Sequence, residues 1–123
     1  MSKPIKVLIV DDEEDILEIL EYNLIKDGYE VFKACNGKEA VEVALKQEPA
    51  IILLDIMMPQ VDGYQTLKWI KNNKSLVHTK VVFLTAKNKT SDMDKGFELG
   101  VDKYLTKPFS VKKIVTELTE LLA

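Results

Sequence analysis

The chain has 123 residues, 46% apolar and 30% charged, with 20 acidic against 17 basic side chains and a formal net charge of −3. That is a length for one domain with a full core, read here as a single domain over 1–123. No apolar run approaches the ~18 residues of a membrane-spanning helix, and every basic residue is lysine, so no bidentate arginine grip on phosphate or guanine exists and no nucleic-acid reading by this chain alone is expected.

The predicted elements alternate. Residues 5–10, with Val7-Leu8-Ile9-Val10, read as a strand, and 14–27 as a helix with Ile16, Leu17, Leu20 and Leu24 on one face, ended by Gly28. Tyr29 to Ala34 reads as a second strand. Asn36 and Glu39 form a capping-box pattern ahead of a helix with Ala40, Val41, Ala44 and Leu45 as its stripe. Ile51-Ile52-Leu53-Leu54 reads as a third strand, 58–63 as a loop, and the next stretch to about Asn72 as a helix with Leu67 and Ile70 inward. A strand follows at 80–84, a weakly periodic helix from Thr90 or Ser91 to Gly100, and a short strand at 102–105. Ser110 caps a last helix with Val111, Ile114, Val115, Leu118, Leu121 and Leu122. Alternating strands and helices with short connections predict an α/β parallel sheet with helices on both faces. The lone Cys35 cannot form an internal disulfide and is expected buried or half-buried. The first strand starts with no signal peptide ahead of it, so a cytoplasmic location is expected.

Four residues sit at or just beyond the carboxyl ends of predicted strands: Asp12, Asp55, Thr85 and Lys107. Ligands of open parallel sheets gather at that edge. Asp11-Asp12-Glu13-Glu14-Asp15 is the densest acidic patch. Glu13, Glu14 and Asp15 read as helix first-turn acids that complement the dipole. Asp11 and Asp12 come earlier, where adjacent carboxylates repel and a hard cation such as Mg²⁺ would fit between them. Asp55 follows four apolar residues. It reads either as a cap for the following turn or as a nucleophile toward phosphorus. Thr85 alone would pass for a strand residue and Lys107 for a solvated lysine. Together the four make a minimal phosphoryl pocket: metal, nucleophile, hydroxyl donor and ammonium.

Val-Asp-Asp-Glu at 10–13, Leu-Leu-Asp-Ile-Met-Met-Pro at 53–59, Asp-Gly at 62–63, Leu-Thr-Ala at 84–86 and Tyr-Leu-Thr-Lys-Pro-Phe at 104–109 resemble the response-regulator receiver domain of two-component signalling (CheY-like), over essentially the whole chain. The resemblance implies a doubly wound, flavodoxin-like five-stranded parallel sheet of order 2-1-3-4-5. It implies that Asp55 is the phosphoacceptor, loaded by a histidine kinase or phosphotransfer protein. It implies Mg²⁺ on Asp12, Asp55 and the Met57 carbonyl, with Asp11 helping through water. Thr85 would be the switch hydroxyl, Ala86 the small neighbour leaving room for the donor histidine, and Tyr104 the aromatic that moves inward. Lys107 would pair with the phosphoryl group, ahead of a cis Pro108. Loading would alter a face made by the fourth helix, fifth strand and fifth helix, read by a downstream target or an output domain. Such a chain is not an enzyme beyond promoting its own phosphorylation and dephosphorylation, and it is expected to be monomeric when unphosphorylated.

Many DNA-binding members pair through that face using two acids before the aromatic and basic residues on the last helix. Here Asp102-Lys103 stands at the paired-acid position, and Glu117 and Glu120 stand on the helix. Two other classes compete. A haloacid-dehalogenase-type phosphatase needs a second aspartate two residues after the first, where this chain has Met57. A flavodoxin-like FMN carrier needs a phosphate loop after the first strand, where this chain has five acids.

Overall fold

The computed structural model describes residues 4–55, 63–86, 100–107 and 110–122. In chain order these form β1 (Lys6–Val10), α1 (Glu14–Lys26), β2 (Glu30–Ala34), α2 (Gly37–Gln47), β3 (Ile51–Asp55) and α3 (Gly63–Lys71). A short 3-10 turn (Lys74–Leu76), β4 (Lys80–Ala86), β5 (Lys103–Lys107) and a C-terminal helix (Val111–Leu122) complete the described elements. Residues 90–99 of the expected fourth helix, Met57 and Pro108 lie outside the described residues.

The five strands form one sheet of order β2-β1-β3-β4-β5, with every pair parallel. The expected doubly wound order is therefore present. Burial follows position in that order. All five residues of central β3 are buried, whereas in edge strand β2 Glu30 and Lys33 are exposed, Val31 and Phe32 half-buried and only Ala34 buried. A strand covered on both faces reads as a continuous apolar run, and β3 is one. One face packs Ala40 and Ala44 of α2 and Leu67 and Ile70 of α3 onto Leu8, Val10, Ile52, Leu54, Val81 and Phe83. The opposite face packs Leu17, Leu20 and Leu24 of α1 and Ile114 and Leu118 of the C-terminal helix onto Val7, Ile9, Ile51, Leu53, Val82 and Leu84.

Local details depart from the sequence reading in several places. Asn36 does cap α2, its side chain accepting from the Glu39 N–H at 2.8 Å. The Glu39 carboxylate, however, accepts from the Cys35 thiol (3.4 Å), so the reciprocal half of the expected box is replaced. Cys35 is exposed rather than buried. It falls in the bend between edge strand β2 and the Asn36 cap of α2. The Glu39 contact also pushes its thiol pKa up from the ordinary value. Ser110 caps the last helix as expected, accepting from the Lys113 N–H at 3.1 Å. β4 and β5 each run two residues further than the sequence suggests, so Thr85 and Lys107 lie within strands and not beyond them.

Candidate functional site

β1 and β3 are hydrogen-bonded neighbours in register, Val10 opposite Leu54. The residues that follow, Asp11 and Asp55, are therefore brought side by side at one end of the sheet. Both are buried, at 1% and 2% exposure, while Asp12 is exposed. One carboxylate oxygen from each of the three lies within 4.8 Å of the others. Asp11 is fixed at two points. Its N–H donates to the Ala34 carbonyl at 3.2 Å, and its Oδ1 accepts from the Glu13 N–H at 3.0 Å. That second bond satisfies an amide at the start of α1, where the N-cap residue Glu13 offers no side-chain cap of its own. Asp11 thus holds the acidic turn in place while contributing an oxygen to the cluster.

Three carboxylates converging at this spacing offer hard oxygen donors and no nitrogen or sulfur. That suits a small divalent cation that retains waters, and like charges two of which are buried favour such a counter-ion. Among the described residues this is the one group of three or more acidic, histidine or cysteine side chains so arranged. A shallow groove of about 140 Å³ between α2 and α3, lined by Gly37, Lys38, Val41, Gln65, Thr66 and Trp69, shares no residue with it.

The remaining candidates fall where the register puts them. Thr85 opposes Thr106 and Ala86 opposes Lys107 at the carboxyl ends of β4 and β5. β4 in turn pairs with β3, Leu84 opposite Asp55. The sheet edge therefore collects Asp11, Asp12, Asp55, Thr85, Ala86 and Lys107 on four strand ends. Tyr104 lies deeper in β5, 9% exposed, with its ring against Phe83. Met57 and Pro108 lie outside the described residues.

A family match covers most of the chain: residues 7–119 fit the response regulator receiver domain. The chain belongs to the response-regulator receiver family. It is 40% identical over 117 residues to the alkaline phosphatase synthesis transcriptional regulatory protein PhoP of Bacillus subtilis (strain 168). That alignment takes in 95% of this chain but only 48% of PhoP, so the receiver spans about half the length of that relative. Among solved structures, the chemotaxis response regulator CheY4 of Vibrio cholerae superposes with a TM-score of 0.90 at 29% identity, covering 96% of this chain and 98% of CheY4. The signal receiver domain of a signal transduction histidine kinase from Syntrophus aciditrophicus matches at 0.86 and 32% identity, covering 95% and 89%.

Two features of this receiver had no signal in its sequence. Tyr64, Phe83 and Tyr104 form a run of edge-to-face ring contacts, with centroids 5.6 and 5.5 Å apart. Asp102 accepts from the Val81 N–H at 2.7 Å and pairs with Lys71 at 3.1 Å, anchoring the entry to β5. The first could be anticipated only from the strand register, and the second only from the packing of α3 against that entry.

Proposed function

We propose that this receiver is a phosphorylation switch in which Asp55 takes a phosphoryl group from the phosphohistidine of a kinase or phosphotransfer protein. The observation that carries this is the convergence of Asp11, Asp12 and Asp55 within 4.8 Å, with Asp55 buried at a strand end. In the step proposed, an Asp55 carboxylate oxygen attacks phosphorus, a P–O bond forms, the P–N bond to the donor breaks, and the imidazole leaves and takes up a proton. Asp11, Asp12 and Asp55, with the Met57 carbonyl, would hold Mg²⁺, which when bound supplies neutralisation of the charge gathered on the phosphoryl oxygens. Thr85 and Lys107, set by register on neighbouring strand ends, would donate a hydroxyl and an ammonium to the same oxygens. Ala86 would leave room for the donor ring, and Pro108 would shape the turn after Lys107. Tyr104 would report the change toward the edge of the sheet.

The chain is proposed to promote only its own loading and unloading, and not to turn over a separate substrate. Met57 stands where the haloacid-dehalogenase reading requires a second aspartate, which disfavours that phosphatase. The target is proposed to be a partner protein or an output domain, since PhoP, a transcriptional regulatory protein, is about twice as long as the aligned segment. Lys103 forms an ion pair with Glu117 of its own C-terminal helix. Both residues are thereby engaged within one chain, in keeping with a monomer before phosphorylation. Among the described residues no helix is long and apolar enough to cross a membrane, and a cytoplasmic setting with a histidine-kinase partner is part of the proposal.

The test is mass spectrometry after incubation with Mg²⁺ and acetyl phosphate. A single phosphoryl adduct is expected, lost in Asp55→Asn and lost in excess chelator. An adduct that survives Asp55→Asn would move the acceptor elsewhere, and equal labelling in chelator would remove the metal from the reaction.

A further inference from the structure

Directly beneath the acidic edge, one register step into the sheet, runs a lateral row of side chains. Ala34 pairs with Val10, Val10 with Leu54, Leu54 with Phe83 and Phe83 with Tyr104. All five are buried and belong to the same core layer. Two of them immediately precede cluster acids: Val10 precedes Asp11 and Leu54 precedes Asp55. The row ends at Tyr104 on edge strand β5, its one member with a polar tip.

Phe83 is the hinge of this row. It is fully buried and makes ring contacts on two sides, with Tyr64 at 5.6 Å and 80° and with Tyr104 at 5.5 Å and 79°. Tyr64 lies in the first turn of α3, the helix that follows Asp55 in the chain. Edge-to-face pairs are directional: the positive edge of one ring seeks the negative face of the next. Turning one ring therefore changes the preferred orientation of its neighbour, which an aliphatic side chain of similar bulk would not impose. Close packing leaves no slack in the layer to absorb a shift.

Resting on the phosphoacceptor reading of Asp55, we propose that Phe83 is a positioning residue. It ties the depth of the Tyr104 ring to the end of β3 and the first turn of α3, so that occupancy of Asp55 reaches the sheet edge through the Tyr64–Phe83–Tyr104 row. The path runs under the site, through the core layer shared with α2 and α3. It predicts that the aromatic character of residue 83, and not only its volume, matters for the response.

The experiment is fluorine NMR of the whole chain carrying fluorotyrosine at its four tyrosines. Tyr104→Phe assigns the resonance, and Mg²⁺ with beryllofluoride serves as the phosphoryl mimic, whose bound fluorines report loading of Asp55 in the same spectrum. In the wild type, loading is expected to shift the Tyr104 resonance. In Phe83→Leu the bound beryllofluoride signal should remain, the unloaded Tyr104 resonance should already move toward its solvent-exposed position, and the loading-dependent shift should be lost. Ile70→Val, which loosens the same layer, should leave that shift intact. If Phe83→Leu does not fold, Tyr64→Leu is read in its place and should diminish the shift. A Tyr104 response of wild-type size in these aromatic variants overturns the relay. So does a wild type that binds beryllofluoride with Tyr104 silent, and there the phosphoacceptor assignment stands. Absence of any bound beryllofluoride in the wild type overturns that assignment and the relay with it.

Discussion

The two core layers of this receiver are built from different materials. The layer under α1 and the C-terminal helix has only aliphatic side chains among its buried members, such as Leu20, Leu24, Ile51, Leu53 and Leu118. The layer under α2 and α3 holds the buried rings Phe83 and Tyr104, with Phe32 and Tyr64 packed against it and small Ala40 and Ala44 admitting α2 closely. Aliphatic contacts are non-directional and scale with the area removed from water. Ring contacts carry orientation as well. The first layer therefore serves as scaffold, while the second can specify where a ring lies, on the side of the sheet where Tyr104 reaches the edge. Both layers meet the acidic edge through β1 and β3, whose residues alternate between them.

The largest expected effect is on the scaffold. Leu20 is 1% exposed in the middle of α1, and Leu20→Ala should cost about 3 kcal/mol through lost burial and a cavity. Urea denaturation should show a lower midpoint, and the protein still folded should load Asp55 to the wild-type extent. Phe83→Leu should cost less stability yet alter the Tyr104 response. If Leu20→Ala uncouples Tyr104 as fully as Phe83→Leu does, the two layers do not differ in the way described.

How far each part was legible in the sequence follows from the kind of signal it leaves. β1 and β3 announce themselves as unbroken apolar runs, and Asp11, Asp12 and Asp55 stand out because they break those runs at one edge. The ends of β4 and β5 were misplaced by two residues each, because Thr85-Ala86 and Thr106-Lys107 carry no apolar pattern. The ladder continues there because a neighbouring backbone is in register. Cys35 was expected buried or half-buried from its residue type alone, and residue type does not report that the position falls in a bend after an edge strand. The 3-10 turn that buries Leu76 and the row from Val10 to Tyr104 both depend on how separate segments align, information that no single segment holds.

A middle-sized effect lies where α3 meets β5. Asp102 receives the buried Val81 N–H at 2.7 Å and the Lys71 ammonium at 3.1 Å, with its side chain 24% exposed. Asp102→Ala leaves that amide without its side-chain acceptor and should cost about 1–2 kcal/mol. Asp102→Asn keeps an acceptor and should cost less, since a partly exposed ion pair contributes little by itself. Thermal denaturation of the pair of variants checks the order. Equal losses would assign the stabilisation to the charge and not to the amide. The contact belongs to the layer of α2 and α3, so its loss should also loosen Tyr104, a second way of asking whether that layer sets the ring's position.

The smallest effect compares how one helix from each layer ends. After α1 the chain enters the left-handed region at Gly28, with φ of +98°, and nothing lies within 4 Å of where a Cβ would stand. α2 ends in the same region at Glu48, with φ of +47° and ψ of 61°, its N–H donating to the Ala44 carbonyl at 2.8 Å. A side chain there strains the backbone, and a carboxylate at a helix C-terminus opposes the dipole. Glu48→Gly removes both and gives back some unfolded-state entropy, for a net gain of about 0.5–1 kcal/mol. Gly28→Ala meets no steric obstacle, so its loss, about 1 kcal/mol, should come from φ alone. A Glu48→Gly variant that melts lower than wild type would show that the glutamate side chain makes a contact worth more than the strain. α2 would then be held at its end by something other than backbone geometry.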